Sequence, residues 1–124
     1  MPAPTLLLAG AGAALAVAVT CESAPGAGRV RCEARVEPEA TREIAWADVV
    51  VVKTAPFLTA LRGRIAPGDA GERSSSRWTF AFALVARERG TGEVVVRARA
   101  VVCGAGGGAC APVEQEASAV VRRE

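Results

Sequence analysis

The sequence predicts an all-β fold, an immunoglobulin-like β-sandwich of about seven antiparallel strands, on three observations. Apolar and polar residues alternate with a period of two along most of the chain, as in strands with one buried face. Clusters of glycine, proline and small polar residues separate these runs at intervals typical of a sandwich. No run has the apolar spacing that would require a helix. The length of 124 residues suits one domain with one core.

The composition narrows the classes of function. Histidine is absent, which excludes Ser-His-Asp triads, Cys-His nucleophiles and histidine metal sites, and leaves a hydrolase only as a remote alternative. The net charge of +2 is small and the signs alternate along strands, so we expect no nucleic-acid partner. The four cysteines, with ten and six residues between the members of each pair, fit disulfides better than a four-thiolate zinc site. We therefore expect neither metal nor cofactor.

The N-terminus has the features of an export signal. No charged side chain occurs before Glu22, residues 6–16 are apolar, and Ala14-Leu15-Ala16 fits the small-x-small cleavage rule. We predict a signal peptide at residues 1–16 and a single domain at residues 17–124, located outside the cytoplasm, in the periplasm or secreted. The mature chain would then have no membrane span. Lipidation at Cys21 and retention of the segment as an anchor are the alternatives.

The first hairpin is predicted from strict alternation on both sides of the turn SAPGAG, residues 23–28. In the run RVRCEARV the apolar residues and Cys32 share one face, and the charged residues share the other. If Cys21 lies opposite Cys32, then Val19 lies opposite Ala34 and Val17 opposite Val36. The two apolar rows coincide, which predicts a Cys21–Cys32 disulfide on the buried face.

The middle of the chain supplies further core strands. Residues 44–53 form a predicted strand in which Trp46 is expected to anchor the core, while Asp48 breaks the alternation and suggests a bulge. Residues 54–67 are predicted as a loop plus a short strand near residues 61–65. Phe57 in this segment is expected either to fill the end of the core or to act as a surface cap. Residues 77–87 alternate aromatic or aliphatic with small side chains, a core strand.

The last hairpin surrounds the glycine-rich loop GAGGGA between Cys103 and Cys110. Placing the two cysteines opposite each other sets Arg99 against Glu114 and Arg97 against Glu116, two opposite-charge pairs. In this register Cys103 is out of phase with the apolar row of its strand. The predicted Cys103–Cys110 disulfide therefore lies on the outward face, unlike the first.

A second connectivity is compatible with the spacing. Cys32, Trp46 and Cys103 have the order of an immunoglobulin inter-sheet disulfide with its tryptophan, which would leave Cys21 to bond Cys110. The out-of-phase position of Cys103 favours the sequential pairing.

The last hairpin also has a recognisable pattern. A strand ends in cysteine and is followed by a glycine-bearing loop, a second cysteine with proline two residues later, and an alternating final strand. It resembles the N-terminal periplasmic domain of the DsbD thiol:disulfide interchange protein family over residues 92–121. The resemblance implies an immunoglobulin-like fold and a redox pair formed by Cys103 and Cys110, with Pro112 in the family's Cys-x-Pro position. Its partners would be periplasmic thiol-disulfide proteins, and Phe57 would take the place of an aromatic cap.

Two functions follow for this hairpin. In the first, the chain is an exported module with a structural or protein-binding role, and the disulfide restrains a flexible loop. In the second, Cys103 and Cys110 carry out thiol-disulfide exchange, and the module is part of an oxidoreductase. The loop has no acidic residue and no aromatic residue directly precedes Cys103, which favours the first interpretation.

Overall fold

A computed structural model describes residues 15–39 and 41–124 of the chain. The predicted signal peptide, residues 1–16, lies outside these ranges except for Leu15 and Ala16. Both belong to the first strand, and Leu15 is buried in the core. Within the described ranges, no helix is long and apolar enough to span a membrane.

In the described part of the chain, nine strands form two antiparallel sheets, and six of the strands are long. In chain order they are β1 Leu15–Cys21, β2 Gly28–Pro38, β3 Arg42–Thr54, β4 Leu58–Ala60, β5 Arg64–Ile65, β6 Glu72–Arg73, β7 Trp78–Ala86, β8 Gly90–Gly104 and β9 Cys110–Arg123. A 3₁₀ turn at Pro67–Asp69 connects β5 to β6. The short strand expected near residues 61–65 is present as β5.

The strand order is that of an immunoglobulin-like sandwich, which confirms the predicted fold. The first sheet has the order β1-β2-β7-β4, with β6 also on β7, and the second has the order β5-β3-β8-β9. In immunoglobulin terms β1-β2-β7 correspond to strands A, B and E, and β3-β8-β9 to strands C, F and G. Inward residues of both sheets form one core, in which Val30, Phe80 and Val96 are fully buried.

The first hairpin has the predicted register. Cys21 lies opposite Cys32, Val19 opposite Ala34 and Val17 opposite Val36. Along β2 the burial alternates without exception from Arg29 to Val36, because its apolar face lies on the core while its charged face is exposed.

The prediction for Trp46 is wrong, and a β-bulge is the reason. The pairing of β3 with β8 shifts between Ile44 and Trp46, so Trp46 lies on the outer face and is 37% exposed. The bulge lies before Asp48 in the chain, whereas the broken alternation predicted a bulge at Asp48 itself. Ala47 and Val49 point into the core, and Asp48 points outward with the tryptophan.

At the end of the sandwich where the β1–β2 turn lies, Arg123 joins the last strand to that turn. Its guanidinium donates hydrogen bonds to the carbonyl oxygens of Gly26, at 2.8 Å, and Arg29, at 3.0 Å. The side chain is buried, so these bonds replace water for the charged group. The sequence contains no sign of this contact, because the partners are more than ninety residues apart.

Candidate functional site at the Cys103–Cys110 hairpin

The Cys103–Cys110 disulfide closes the β8–β9 hairpin at the position predicted for it. The two cysteines are direct partners in the ladder, and Arg97 and Glu116 are partners six residues further along. Cys103 is 9% exposed, whereas Cys110 on the edge strand is exposed. A reagent in solution therefore reaches the sulfur of Cys110 more easily than that of Cys103.

The loop between the cysteines is short and internally hydrogen-bonded. Gly106 and Gly107 have φ of 76° and 89°, in the left-handed region that favours glycine. The amide of Gly104 donates to the carbonyl of Ala109 at 3.1 Å, and the amide of Gly108 donates to that of Gly104 at 3.0 Å. The glycine composition is thus explained by the turn itself, without a ligand.

The Cys21–Cys32 disulfide is present as well, so the sequential connectivity is confirmed and the crossed one is wrong. Cys32 lies on strand β2 and Cys103 on strand β8, which are the strands that an immunoglobulin inter-sheet disulfide joins. Cys103 points outward, however, so the two sulfurs are on opposite sides of the second sheet. Cys32 is buried and packs in the core.

An acidic residue to which no sequence pattern points, Glu43, is paired with the outer disulfide. Glu43 on β3 is the ladder partner of Cys103 on β8, so their side chains leave the same face of the sheet. Glu43, Cys103 and Cys110 form one row across three strands. Glu43 and Cys103 are sixty positions apart in the sequence, and β3 contains a bulge. Alternation within each strand therefore does not predict which residue of β3 pairs with Cys103.

The next row across the sheet is apolar. Trp46, Val101 and Pro112 are successive ladder partners on β3, β8 and β9. Together with Arg64, Arg99 and Glu114 they line an open groove of about 520 Å³. The outer disulfide is therefore bordered by an exposed aromatic side chain, although none precedes Cys103 in the sequence.

The third row holds an ion cluster centred on Asp48. Arg99 donates to both carboxylate oxygens, at 2.9 Å to Oδ1 and 2.5 Å to Oδ2, and Arg64 Nε donates to Oδ2 at 2.7 Å. The carboxylate is 0% exposed because the two arginine side chains cover it. Burial by itself raises the pKa of Asp48, but the hydrogen bonds and charges of Arg99 and Arg64 outweigh it and hold the pKa below its usual value.

This cluster changes one predicted ion pair. Arg99 and Glu114 are ladder partners as predicted, but the Arg99 side chain turns to Asp48 on its other side. Glu114 lies near Arg97 instead, at 3.8 Å, and Arg97 also contacts Glu116 at 2.7 Å as predicted. The register was right, and the Arg99–Glu114 pair is wrong because the sequence does not reveal a buried competitor on β3.

Phe57 lies at the opposite end of the molecule from the outer disulfide. It is 8% exposed and packs under β8, where a Cβ atom added at Gly90 would lie 3.2 Å from the phenyl ring. From there to Cys103 the strand runs roughly 40 Å. Phe57 therefore fills the end of the core, as one of the two expectations had it, and does not cap Cys103–Cys110.

Within residues 15–39 and 41–124, no group of three or more cysteine, aspartate and glutamate side chains is arranged to hold a metal ion. Every buried polar side-chain atom in these ranges has a hydrogen-bond partner. The outer face of the second sheet thus offers a disulfide, a neighbouring carboxylate and an apolar row. The reactive atoms on this face are the sulfurs of Cys103 and Cys110.

No family model and no curated protein matches the sequence. Among solved structures, AggA, the major subunit of aggregative adherence fimbriae type I from Escherichia coli, is 7% identical with a TM-score of 0.41; the alignment covers 89% of this chain and 95% of that one. BslA, a bacterial hydrophobin, is 11% identical with a TM-score of 0.33, over 88% of this chain and 97% of that one. At these values the similarities assign neither a family nor a function.

Proposed function

We propose that the chain acts outside the cytoplasm as a non-enzymatic immunoglobulin-like module with a structural or protein-binding role, in which both disulfides are structural. One observation carries the proposal: each disulfide joins direct ladder partners of a regular hairpin. Two such bonds in one small domain are typical of proteins in oxidising compartments outside the cytoplasm. Periplasm and extracellular space both meet this condition.

The position of each bond supports a structural role. The inner bond has Cys32 buried in the core, where a disulfide is normally inert. The outer bond closes a loop of glycine and alanine that would otherwise be flexible. In the chain-entropy model, closing so short a loop stabilises the folded state by about 2–3 kcal/mol.

Equilibrium unfolding tests this role. The double variant Cys103→Ser/Cys110→Ser should remain folded and lose about 2–3 kcal/mol of unfolding free energy in urea. The matched control is Ser23→Ala/Ser118→Ala, at two exposed serines, which should change stability by less than about 0.5 kcal/mol. A Cys103→Ser/Cys110→Ser variant as stable as the parent would show that the bond is not structural.

A second candidate function, thiol-disulfide exchange at Cys103–Cys110, is supported by the exposure of Cys110. A partner thiolate would attack Cys110 Sγ, form a mixed disulfide and release the Cys103 thiolate, which takes up a proton from water. A second partner thiol would then displace Cys110, which leaves the partner oxidised and this module reduced by two electrons. The row formed by Trp46, Val101 and Pro112 would be the partner's contact surface.

Exchange kinetics with a dithiol distinguish the two functions. A catalytic pair predicts that dithiothreitol reduces Cys103–Cys110 at least about a hundredfold faster than it reduces oxidised glutathione, an unconstrained disulfide. The structural role predicts that Cys103–Cys110 is reduced no faster than oxidised glutathione, although Cys110 is exposed, and that the buried Cys21–Cys32 bond is reduced more slowly still. Mass spectrometry after alkylation of the free thiols measures each bond separately.

A further inference from the structure

The outer face of the first sheet carries a groove that neither proposed function uses. It has a volume of about 480 Å³ and is open to solvent. Ala81 and Ala83 of β7 form its floor. Arg29 and Arg31 of β2 stand on one side, and Leu61 and Arg62, which follow β4, stand on the other.

The strand pattern explains this shape. Alternation on β2 puts both of its arginines on the outer face, roughly 7 Å apart. On β7 the ladder partner of Arg31 is Ala83, and that of Arg29 is Val85. Leu61 is held at the opposite side by the hydrogen bond from its amide to the carbonyl of Ala83, at 3.1 Å. Long cationic side chains therefore flank a floor of methyl groups.

The charges of this groove are not neutralised from within. Arg29 and Arg31 are exposed, and neither forms an ion pair in the part of the chain that the structure describes. Arg62 contacts Asp69 at 3.0 Å, but both side chains are about half exposed, so this pair is weak. Glu33, the next outward residue of β2, is the ladder partner of Ala81 and so lies at the end of the groove, outside its lining; among the described residues it forms no ion pair either.

Leu61 adds an apolar contact surface to this cationic groove. Its side chain is 49% exposed. With the methyl groups of Ala81 and Ala83 it provides an apolar surface between guanidinium groups. A ligand that matches this arrangement has anionic groups at its edges and hydrocarbon faces between them.

We propose that this groove binds an acidic polysaccharide, with Arg29, Arg31 and Arg62 binding its carboxylate or sulfate groups. Guanidinium groups bind such anions through paired hydrogen bonds, and the C–H faces of sugar rings pack on Leu61 and the alanines. An open groove suits a chain that carries a charge on successive units. Nucleic acid fits less well, because Phe82, the aromatic residue in the lining, is 8% exposed on the core face of β7 and offers a base no stacking surface.

The test uses the full disulfide-bonded chain and four probes: heparin, polygalacturonate, neutral dextran and an oligothymidine. Binding is measured by isothermal titration calorimetry at about 0.05 M and about 0.3 M NaCl, because screening weakens ionic contacts between exposed groups. The variants are Arg29→Gln/Arg31→Gln, which removes charge, and Ala83→Leu, which fills the floor and leaves the charge unchanged. Arg35→Gln is the matched control, since Arg35 is exposed on the same strand and face but outside the groove.

We expect heparin or polygalacturonate to bind and dextran not to bind. Arg29→Gln/Arg31→Gln and Ala83→Leu should each weaken binding by about tenfold or more, while Arg35→Gln changes it less than about twofold per charge removed. Sulfate-selective and carboxylate-selective binding both support the proposal and identify the anion. It is overturned if neither acidic polysaccharide binds, if the oligothymidine binds more tightly than both, or if Arg35→Gln weakens binding as much as the groove variants do. Thermal unfolding of each variant checks that the fold is retained.

Discussion

At the scale of single residues, two arginine-centred contacts fix positions that the apolar core does not. Asp48 is buried on an outer face only because Arg99 and Arg64 cover it, and Arg123 is buried only because three carbonyl oxygens of the β1–β2 turn surround it. In each case a charged group is removed from water and compensated by charge-assisted hydrogen bonds. Substitutions of Asp48 and Arg123 should therefore lower the unfolding free energy more than substitutions of exposed charged residues do.

The Asp48 cluster predicts a pH-dependent stability. The folded-state pKa of Asp48 lies below that of an unfolded aspartate, about 3.9. Its contribution is therefore fully present above about pH 4 and is lost as pH falls through the folded-state value. Asp48→Asn should cost about 2 kcal/mol at pH 7, and the difference from the parent should shrink below pH 4 in urea titrations. Glu116→Gln, at an exposed pair, is the control; an Asp48→Asn difference that stays constant down to pH 2 would contradict the account.

Arg123 and its neighbour provide a matched pair of substitutions. Arg123→Ala removes hydrogen bonds to the carbonyls of Gly26 and Arg29, and we expect a loss of about 2–3 kcal/mol in unfolding free energy. Arg122→Ala removes the same charge from the opposite, exposed face of β9 and should change stability by less than about 0.5 kcal/mol. Chemical denaturation measures both. Equal losses for the two variants would show that the guanidinium of Arg123 does not hold the turn.

At the scale of elements, regular hairpins were predictable and the bulged strand was not. Alternation with a period of two assigns each side chain to a face. The sequence alone therefore predicted the pairing of the cysteines, of Val19 with Ala34, and of Arg97 with Glu116. The bulge in β3 arises from its pairing with β8, which is remote in sequence. Trp46, Asp48 and Glu43 were consequently misplaced or missed, and with them the surroundings of the outer disulfide.

The bulge predicts an unusually small effect for a tryptophan substitution. Trp46→Ser removes a side chain that is 37% exposed on an outer face, so we expect a loss of about 1–2 kcal/mol, less than for a core tryptophan. Trp78→Ser removes a core tryptophan that is 7% exposed and should cost roughly 3–5 kcal/mol. Urea unfolding of both variants gives the comparison. If Trp46→Ser were as destabilising as Trp78→Ser, the placement of the bulge between Ile44 and Trp46 would be wrong.

At the scale of the whole molecule, the sandwich divides its surface between two sheets of different chemistry. The first sheet exposes a row of arginines beside small residues, and the second exposes a disulfide, an apolar row and a neutralised ion cluster. The inner disulfide packs with the core, whereas the outer one lies on the surface of the second sheet. This division follows from strand alternation, because every second residue of a strand faces the core and the residues between them face solvent.

The reduction potential of Cys103–Cys110 tests most directly whether this molecule is a structural module or a redox relay. It is obtained by equilibrating the full chain with dithiothreitol or glutathione buffers and counting alkylated cysteines by mass spectrometry. A structural bond between ladder partners predicts a value below about −300 mV, close to that of Cys21–Cys32. A value between about −120 and −230 mV, in the range of exchange proteins, would contradict the structural account and assign the chemistry to Cys103 and Cys110.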